Sequence, residues 1–191
     1  MTARTGLTDI IATLRNMSQA GTADFAIGAV NYWSDDQLQG ILDTRRTDFT
    51  MTPTRMESEY SGGTLIYKRY YLPYANIESG TALKLQNSAG VEFGTATYSV
   101  DYNAGLVTFS NDTGGSAVYA TGRSFDVNRS AADVWRRKAA YYGTKPDFST
   151  DNHSVKFSAI AAMCISMAAQ FDATAGASVV SVYRDDNYPG R

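Results

Sequence analysis

Apolar residues near the start of the chain recur at steps of three and four: Leu7, Ile10, Ile11, Leu14 and Met17. That spacing matches one stripe of a 3.6-residue helix and predicts a short amphipathic helix. Gly21 and a loose segment through Tyr32 separate it from a second, more explicit helix start. Ser34 precedes Asp35, Asp36 and Gln37, so the Ser34 hydroxyl can cap the helix while the Gln37 side chain returns to the Ser34 amide. The two aspartates complement the positive end of the helix, and Trp33 and Leu38 stand where a hydrophobic staple forms. Leu38, Ile41 and Leu42 supply the buried stripe, and the helix is predicted to run to about Arg46.

Around Asp48 the period changes to alternation with turn punctuation, and this continues to about Asp126. Phe49, Met51 and the run from Thr54 to Tyr60 precede Ser61-Gly62-Gly63, after which Leu65, Tyr67 and Tyr71 read as strand. Leu83 and Leu85, the turn residues Asn87 to Gly90, then Val91 and Phe93 predict a hairpin. A stronger one follows: Tyr98 to Tyr102, the turn Asn103-Ala104-Gly105, and Leu106 to Phe109. Asn111 to Gly115 turns again, and Val118, Tyr119 and Phe125 continue the sheet. Several short strands at regular spacing favour a small antiparallel barrel or sandwich.

Helical spacing then returns. Asn128 is placed to cap a helix carrying Ala131, Ala132, Val134, Trp135, Ala139 and Tyr142 and ending near Gly143. Beyond a polar stretch from Ser149 to Ser154, the residues Phe157, Ile160, Ala161, Cys164, Ala168 and Phe171 define a last helix, stopped near Gly176. The nearly apolar run Ala159 to Ala169 is too short for the roughly 20 residues of a spanning helix and reads as a buried one. The end of the chain is β-like from Val179 to Tyr183 and then charged, and is expected to be an exposed arm. The pattern therefore predicts an α+β protein. About four helices form a bundle from residues 1–47 and 127–177, a small antiparallel β barrel or sandwich is inserted at 48–126, and an extended C-terminal arm occupies 178–191.

Composition narrows the function classes. The 191 residues carry 17 Lys+Arg against 19 Asp+Glu, a net charge of −2, which leaves no cation surplus to neutralise many phosphates. A single cysteine, Cys164, excludes an intramolecular disulfide framework, and with one histidine, His153, there is no Cys/His set for structural zinc. Met1 to Thr8 lacks the cationic start and apolar run of a signal peptide, so the expected compartment is the cytoplasm of the producing cell or a particle assembled there.

Candidate chemistry is sparse. Asp35-Asp36 and Asp185-Asp186 are adjacent carboxylates without a metal-loop spacing; helix-start electrostatics explains the first pair, and a solvated tail or partner contact the second. His153 near Asp151, Ser149 and Ser154 lacks any nucleophile-elbow context, and Cys164 on an apolar stripe reads as a small buried hydrophobe. Gly62-Gly63 and Gly114-Gly115 lack the Lys-Ser/Thr of a phosphate loop and read as turns. Arg136-Arg137-Lys138, with Arg129, forms the one local basic surface, open to water, a protein partner or phosphate. The tyrosines from Tyr67 to Tyr74 either pack the sheet or stack sugars or bases. A hydrolase built from Asp101 or Asp126 with Glu92 has only isolated carboxylates behind it. No catalytic, cofactor or metal site is predicted.

The order of these pieces resembles the head-to-tail adaptor (neck, or head completion) proteins of tailed bacteriophages. The likeness is carried by Trp33-Ser-Asp-Asp-Gln-Leu38 through Leu42, Tyr98 to Tyr102 with Gly105 to Phe109, Ala131-Ala-Asp-Val-Trp135 with Lys138-Ala139, and Val182-Tyr-Arg-Asp185. The resemblance implies a non-enzymatic virion protein: a ring of about twelve copies below the portal, joining capsid to tail around the DNA channel. Its implied partners are itself, the portal and a downstream tail or neck protein, with few contacts to the passing DNA, no membrane and no cofactor. Arg136, Arg137 and Lys138 are then expected at intersubunit or portal contacts. In the arm, Val180 and Val182 are expected to add a strand to a partner's sheet edge, alongside Tyr183, Arg184, Asp185 and Asp186. The competing reading is a non-catalytic carbohydrate-binding β module of a viral or bacterial surface protein.

Overall fold

A computed structural model of the chain describes residues 3–150 and 153–175. Its first helix, α1 (Thr8–Ser18), follows a single 3-10 turn and buries Leu7, Ile10, Ile11 and Leu14, the stripe that the spacing predicts. The segment read as loose instead contains a short hairpin, β1 (Phe25–Ile27) and β2 (Val30–Tyr32). It forms because Phe25 and Tyr32 stack on one face of the hairpin, with Phe25 buried against the helices.

The capping box of α2 (Asp35–Thr44) is complete. The Gln37 amide donates to Ser34 Oγ at 3.3 Å and the Ser34 amide to Gln37 Oε1 at 2.8 Å. Trp33 and Leu38 on either side are both fully buried, as a staple requires. The helix stops at Thr44 rather than Arg46, because Arg46 already pairs with Phe125 in a strand.

Two antiparallel sheets follow, and neither closes into a barrel. One has the order β3-β9-β6, from β3 (Arg46–Pro53), β9 (Tyr119–Phe125) and β6 (Lys84–Gln86); the other has the order β4-β5-β8-β7, from β4 (Arg55–Ser61), β5 (Thr64–Tyr71), β8 (Leu106–Phe109) and β7 (Tyr98–Asp101). The chain leaves the first sheet at Thr54, just past a register shift between Phe49 and Thr52 where Met51 takes φ +47° and its amide donates to Thr121 Oγ1. That irregularity bends the strand, and Pro53 at its end has no N–H to extend the ladder. Phe49, Tyr70, Leu85, Val107 and Phe109 from both sheets share one buried cluster, an arrangement compatible with a sandwich.

The hairpin read at Tyr98 to Phe109 is present as β7 and β8, with Asp101 opposite Leu106, so Tyr102 belongs to the turn and not to the strand. Its turn needs glycine: Gly105 sits at φ +68°, and a Cβ there would lie 2.2 Å from the Tyr74 carbonyl oxygen. The hairpin read at Leu83 to Phe93 shrinks to β6 and one bridge between Gln86 and Glu92, closed by the Phe93 amide donating to the Leu85 carbonyl.

Helix α3 (Val127–Gly143) starts two residues earlier than an Asn128 cap predicts. Asp126 is the N-cap, accepting from the Arg129 amide at 2.9 Å. The polar stretch after it is a second small hairpin, β10 (Phe148–Thr150) and β11 (His153–Val155), and α4 (Phe157–Thr174) ends the described chain. Helices α1, α2 and α3 share a cluster that also takes Phe125 and Val127, while α3 and α4 share a separate one around Ala132, Trp135, Cys164 and Ala168. The helical cores thus draw on residues before 43 and after 124, and the sheet core on residues between 49 and 120. Arg4 ties the layers: it grips Asp43 of α2 at 2.6 Å and the nearly buried Glu78 at 3.0 Å, and Glu78 faces Arg123 of β9 at 3.5 Å.

Candidate functional site

The expectation of a buried last helix is overturned. Only Cys164 and Ala168 of α4 are buried, while Ile160, Met167 and Phe171 pack partly against α3. On the rest of its circumference Ala159, Ala162, Met163, Ile165, Ala169 and Ala173 face outward, with Met163 53% and Ile165 54% exposed. No charged residue occurs between Phe157 and Phe171. The 18-residue helix has a mean hydropathy of 1.2, enough by length and composition for a membrane span. Its partner α3 nevertheless carries Arg129, Asp133, Arg136, Arg137 and Lys138, charges that hydrocarbon does not tolerate.

The three adjacent cations of α3 do not form one surface. Successive residues on a helix point about 100° apart, so neighbours in sequence meet different surroundings. Arg136 is bound to Asp133 at 2.9 Å and to Asp172 of α4. Lys138 is buried, 4% exposed, its Nζ 2.5 Å from Asp24 Oδ2, 2.8 Å from the Gln19 carbonyl oxygen and 4.9 Å above the Trp135 ring. As a partner contact Lys138 is therefore corrected to a core residue, held by Gln19 and Asp24 of the segment that joins α1 to β1. Arg137 is exposed like Arg136 but has no ion pair among the described residues. It rims a groove of about 590 Å³ between β1 and the second half of α3, whose aromatic floor is Tyr32, Phe25 and Tyr141, stacked at 4.9 and 4.1 Å. Ile27 and Val30 at the hairpin tip are half exposed beside it. The expected arm contacts Val180, Val182, Tyr183, Arg184, Asp185 and Asp186 lie outside the described residues.

The other candidates are absorbed by local structure. Asp35 in the first turn of α2 pairs with Arg15 at 2.7 Å. Asp101 accepts from the Asn103 and Ala104 amides, Asp126 caps α3, and Glu92 pairs with Lys84 at 2.6 Å, so the three carboxylates weighed for hydrolysis serve three separate local roles. Burial pushes the Cys164 thiol up, which disfavours the reactive thiolate. Among the described residues no group of three His, Cys, Asp or Glu side chains gathers to hold a metal ion. The backbone of His153 pairs with Thr150 in the β10–β11 hairpin.

Of the tyrosines offered for stacking, Tyr70 is buried and bonded to Thr113 and Ser116, and Tyr71 is bonded to Glu57 beneath Arg55. They pack the sheet. A cavity of about 600 Å³ lies instead beside β6 and β7, lined by Leu83, Phe93, Tyr98, Val100 and Tyr102, with the Lys84–Glu92 pair at its rim. Burial pushes the Tyr98 phenol up, with Tyr102 and Glu92 adding to it. This cavity escaped the sequence reading because its walls come from segments twenty residues apart. The only local signal was the aromatic at Phe93, Tyr98 and Tyr102 on strands otherwise assigned to packing.

No protein-family model matches the chain, and no curated protein matches it in sequence.

Proposed function

We propose that the chain is a structural subunit of a tailed-phage virion, the head-to-tail adaptor that assembles as a ring below the portal and surrounds the DNA channel. The observation that carries this reading is the outward face of α4. From Ala159 to Ala169 it is an apolar strip broken only by Ser166 and without a charge, and monomeric soluble proteins rarely leave such a surface uncovered. In a closed ring each copy presents two different faces to its neighbours, so a subunit can hold an apolar helix that its own core does not cover. The order of elements also supports it: helical pieces before residue 43 and after 124 pack together around an inserted β layer. On this reading α1 to α4 form the bundle domain, 48–126 projects as a sandwich toward the next component, and 178–191 reaches the portal or a neighbouring copy. Arg137 and the aromatic groove beside it are the second contact surface.

Purified full-length protein, alone and mixed with a portal protein of the same phage, tests this by sedimentation and negative-stain imaging. Rings or portal-bound complexes are expected, and Ile165→Glu with Met163→Glu is expected to abolish them while circular dichroism and melting stay those of the parent. A monomer that forms no complex with portal, or rings indifferent to both substitutions, overturns the reading. Partition of the parent into vesicles without portal would assign the α4 face to lipid and overturn it as well.

A further inference from the structure

The adaptor reading makes no use of the cavity beside β6 and β7, whose size and lining suit a small ligand. Its volume of about 600 Å³ falls in the range of small-molecule sites, about 300–1,000 Å³. The aromatic wall is held from behind: the Tyr98 ring centroid lies 5.7 Å from that of Phe109, which in turn lies 5.3 Å from Phe93. Both strands beside the cavity are sheet edges, so the opening is not closed by a further strand of the described chain.

Its lining includes six residues with polar side chains: Lys84, Glu92, Tyr98, Tyr102, Thr81 and Thr95. Lys84 Nζ donates to Glu92 Oε1 at 2.6 Å, and both side chains remain about half exposed at the rim, at 50% and 51%. The hydroxyls of Tyr98 and Tyr102 have no hydrogen-bond partner among the described residues, whereas those of Tyr70 and Tyr71 do. The lining therefore offers one cation, one anion, two free phenols and two threonine side chains, with no net charge.

That set discriminates among ligands. A phosphate or nucleotide needs an uncompensated cation or a row of amides, and Lys84 is already paired. A purely apolar ligand would leave both phenols without a hydrogen-bond partner. A ring with an apolar C–H face and hydroxyls around its edge satisfies all of them. The face lies on the aromatic wall, and adjacent hydroxyls exchange hydrogen bonds with ammonium, carboxylate and phenol. We infer that this cavity binds a short neutral saccharide, its pyranose face against Tyr98, Tyr102 and Phe93 and its hydroxyls toward Lys84 and Glu92. The inference does not rest on ring assembly, since it requires only the folded β layer.

The test is saturation-transfer difference NMR and calorimetry on the full chain with maltose, cellobiose, lactose and N,N′-diacetylchitobiose. Binding of at least one of them with a Kd of about 10 mM or tighter is expected, with saturation strongest on the protons of one ring face. Tyr98→Ala and Tyr102→Ala are expected to weaken it at least about tenfold, one decade being about 1.4 kcal/mol. Tyr98→Phe, which keeps the packing and removes only the hydroxyl, and the rim variant Lys84→Met with Glu92→Gln are each expected to weaken it several-fold. Tyr71→Phe, on a tyrosine outside the cavity, is expected to leave it unchanged. No binding by any of the four sugars, or binding that survives Tyr98→Ala in a folded protein, overturns the inference, as does a charged phosphosugar outcompeting its neutral parent. A saccharide-binding protein that never forms rings would instead overturn the adaptor reading and leave this one standing.

Discussion

Replacing Lys138 by methionine separates a core residue from a surface contact. The ammonium forms an ion pair with Asp24 at 2.5 Å, donates a hydrogen bond to the Gln19 carbonyl at 2.8 Å, and stands 4.9 Å from the centroid of the Trp135 ring. Hydrogen bonds to charged groups contribute about 1.5–3 kcal/mol each, and the cation–π contact about 0.5–2. Against that, methionine avoids desolvating a cation, and its chain refills most of the space of the lysine stem. Asp24 is about a quarter exposed and regains water. The net loss is about 2–3 kcal/mol, which for a domain of this size lowers Tm by about 4–12 °C. Calorimetry at neutral pH reads it directly, with Asp24→Asn and the double variant closing the cycle: the second substitution is expected to cost much less once the first is made. Arg137→Met, one residue away but exposed, is expected to stay within about 0.5 kcal/mol of the parent. A Lys138→Met protein as stable as Arg137→Met would refute the burial of Lys138 against the segment that joins α1 to β1.

Three further outcomes follow from the packing. Trp33→Ala removes a fully buried indole at the helical core and is expected to destabilise by about 3–5 kcal/mol in a denaturant titration; a loss under 1 would mean the staple side of α2 is not packed as described. Gly62→Ala and Gly105→Ala share a left-handed backbone, φ +58° and +68°, but only the second meets a neighbour, so Gly105→Ala is expected to cost at least about 1 kcal/mol more; equal costs would remove the close approach to Tyr74. Burial raises the Asp133 carboxyl, but Arg45 and Arg136 together outweigh it and hold the group below its ordinary value. Its stabilisation is thus fully present above the unfolded value of about 3.9 and is lost as pH falls through the lower folded value. Asp133→Asn is expected to flatten the stability profile below about pH 4 and to lower the plateau above it; an unchanged slope in that acid limb would sink the assignment.

Much of the local structure was legible from residues close in sequence. The Ser34–Gln37 box and the β7–β8 hairpin depend on groups within a few positions of one another, and the α1 stripe on a local period, so composition and spacing were enough to find them. Distant partners decided the rest. Arg46 could continue a helix or begin a strand, and Phe125 settled it; the segment before Tyr32 became a hairpin because Tyr141, more than a hundred residues later, offered Phe25 a stacking surface. For the site, the sequence determined the type of each side chain but not its surroundings. Arg136, Arg137 and Lys138 read as one basic patch, and tertiary packing sent them to an ion-pair network, to solvent and to the core. Likewise α4 was readable as apolar, yet apolarity along one helix does not say how much of it the rest of the chain can cover. Only the fold shows that α3 covers one side alone, because burial is a property of what packs against a helix and is not encoded in the helix itself.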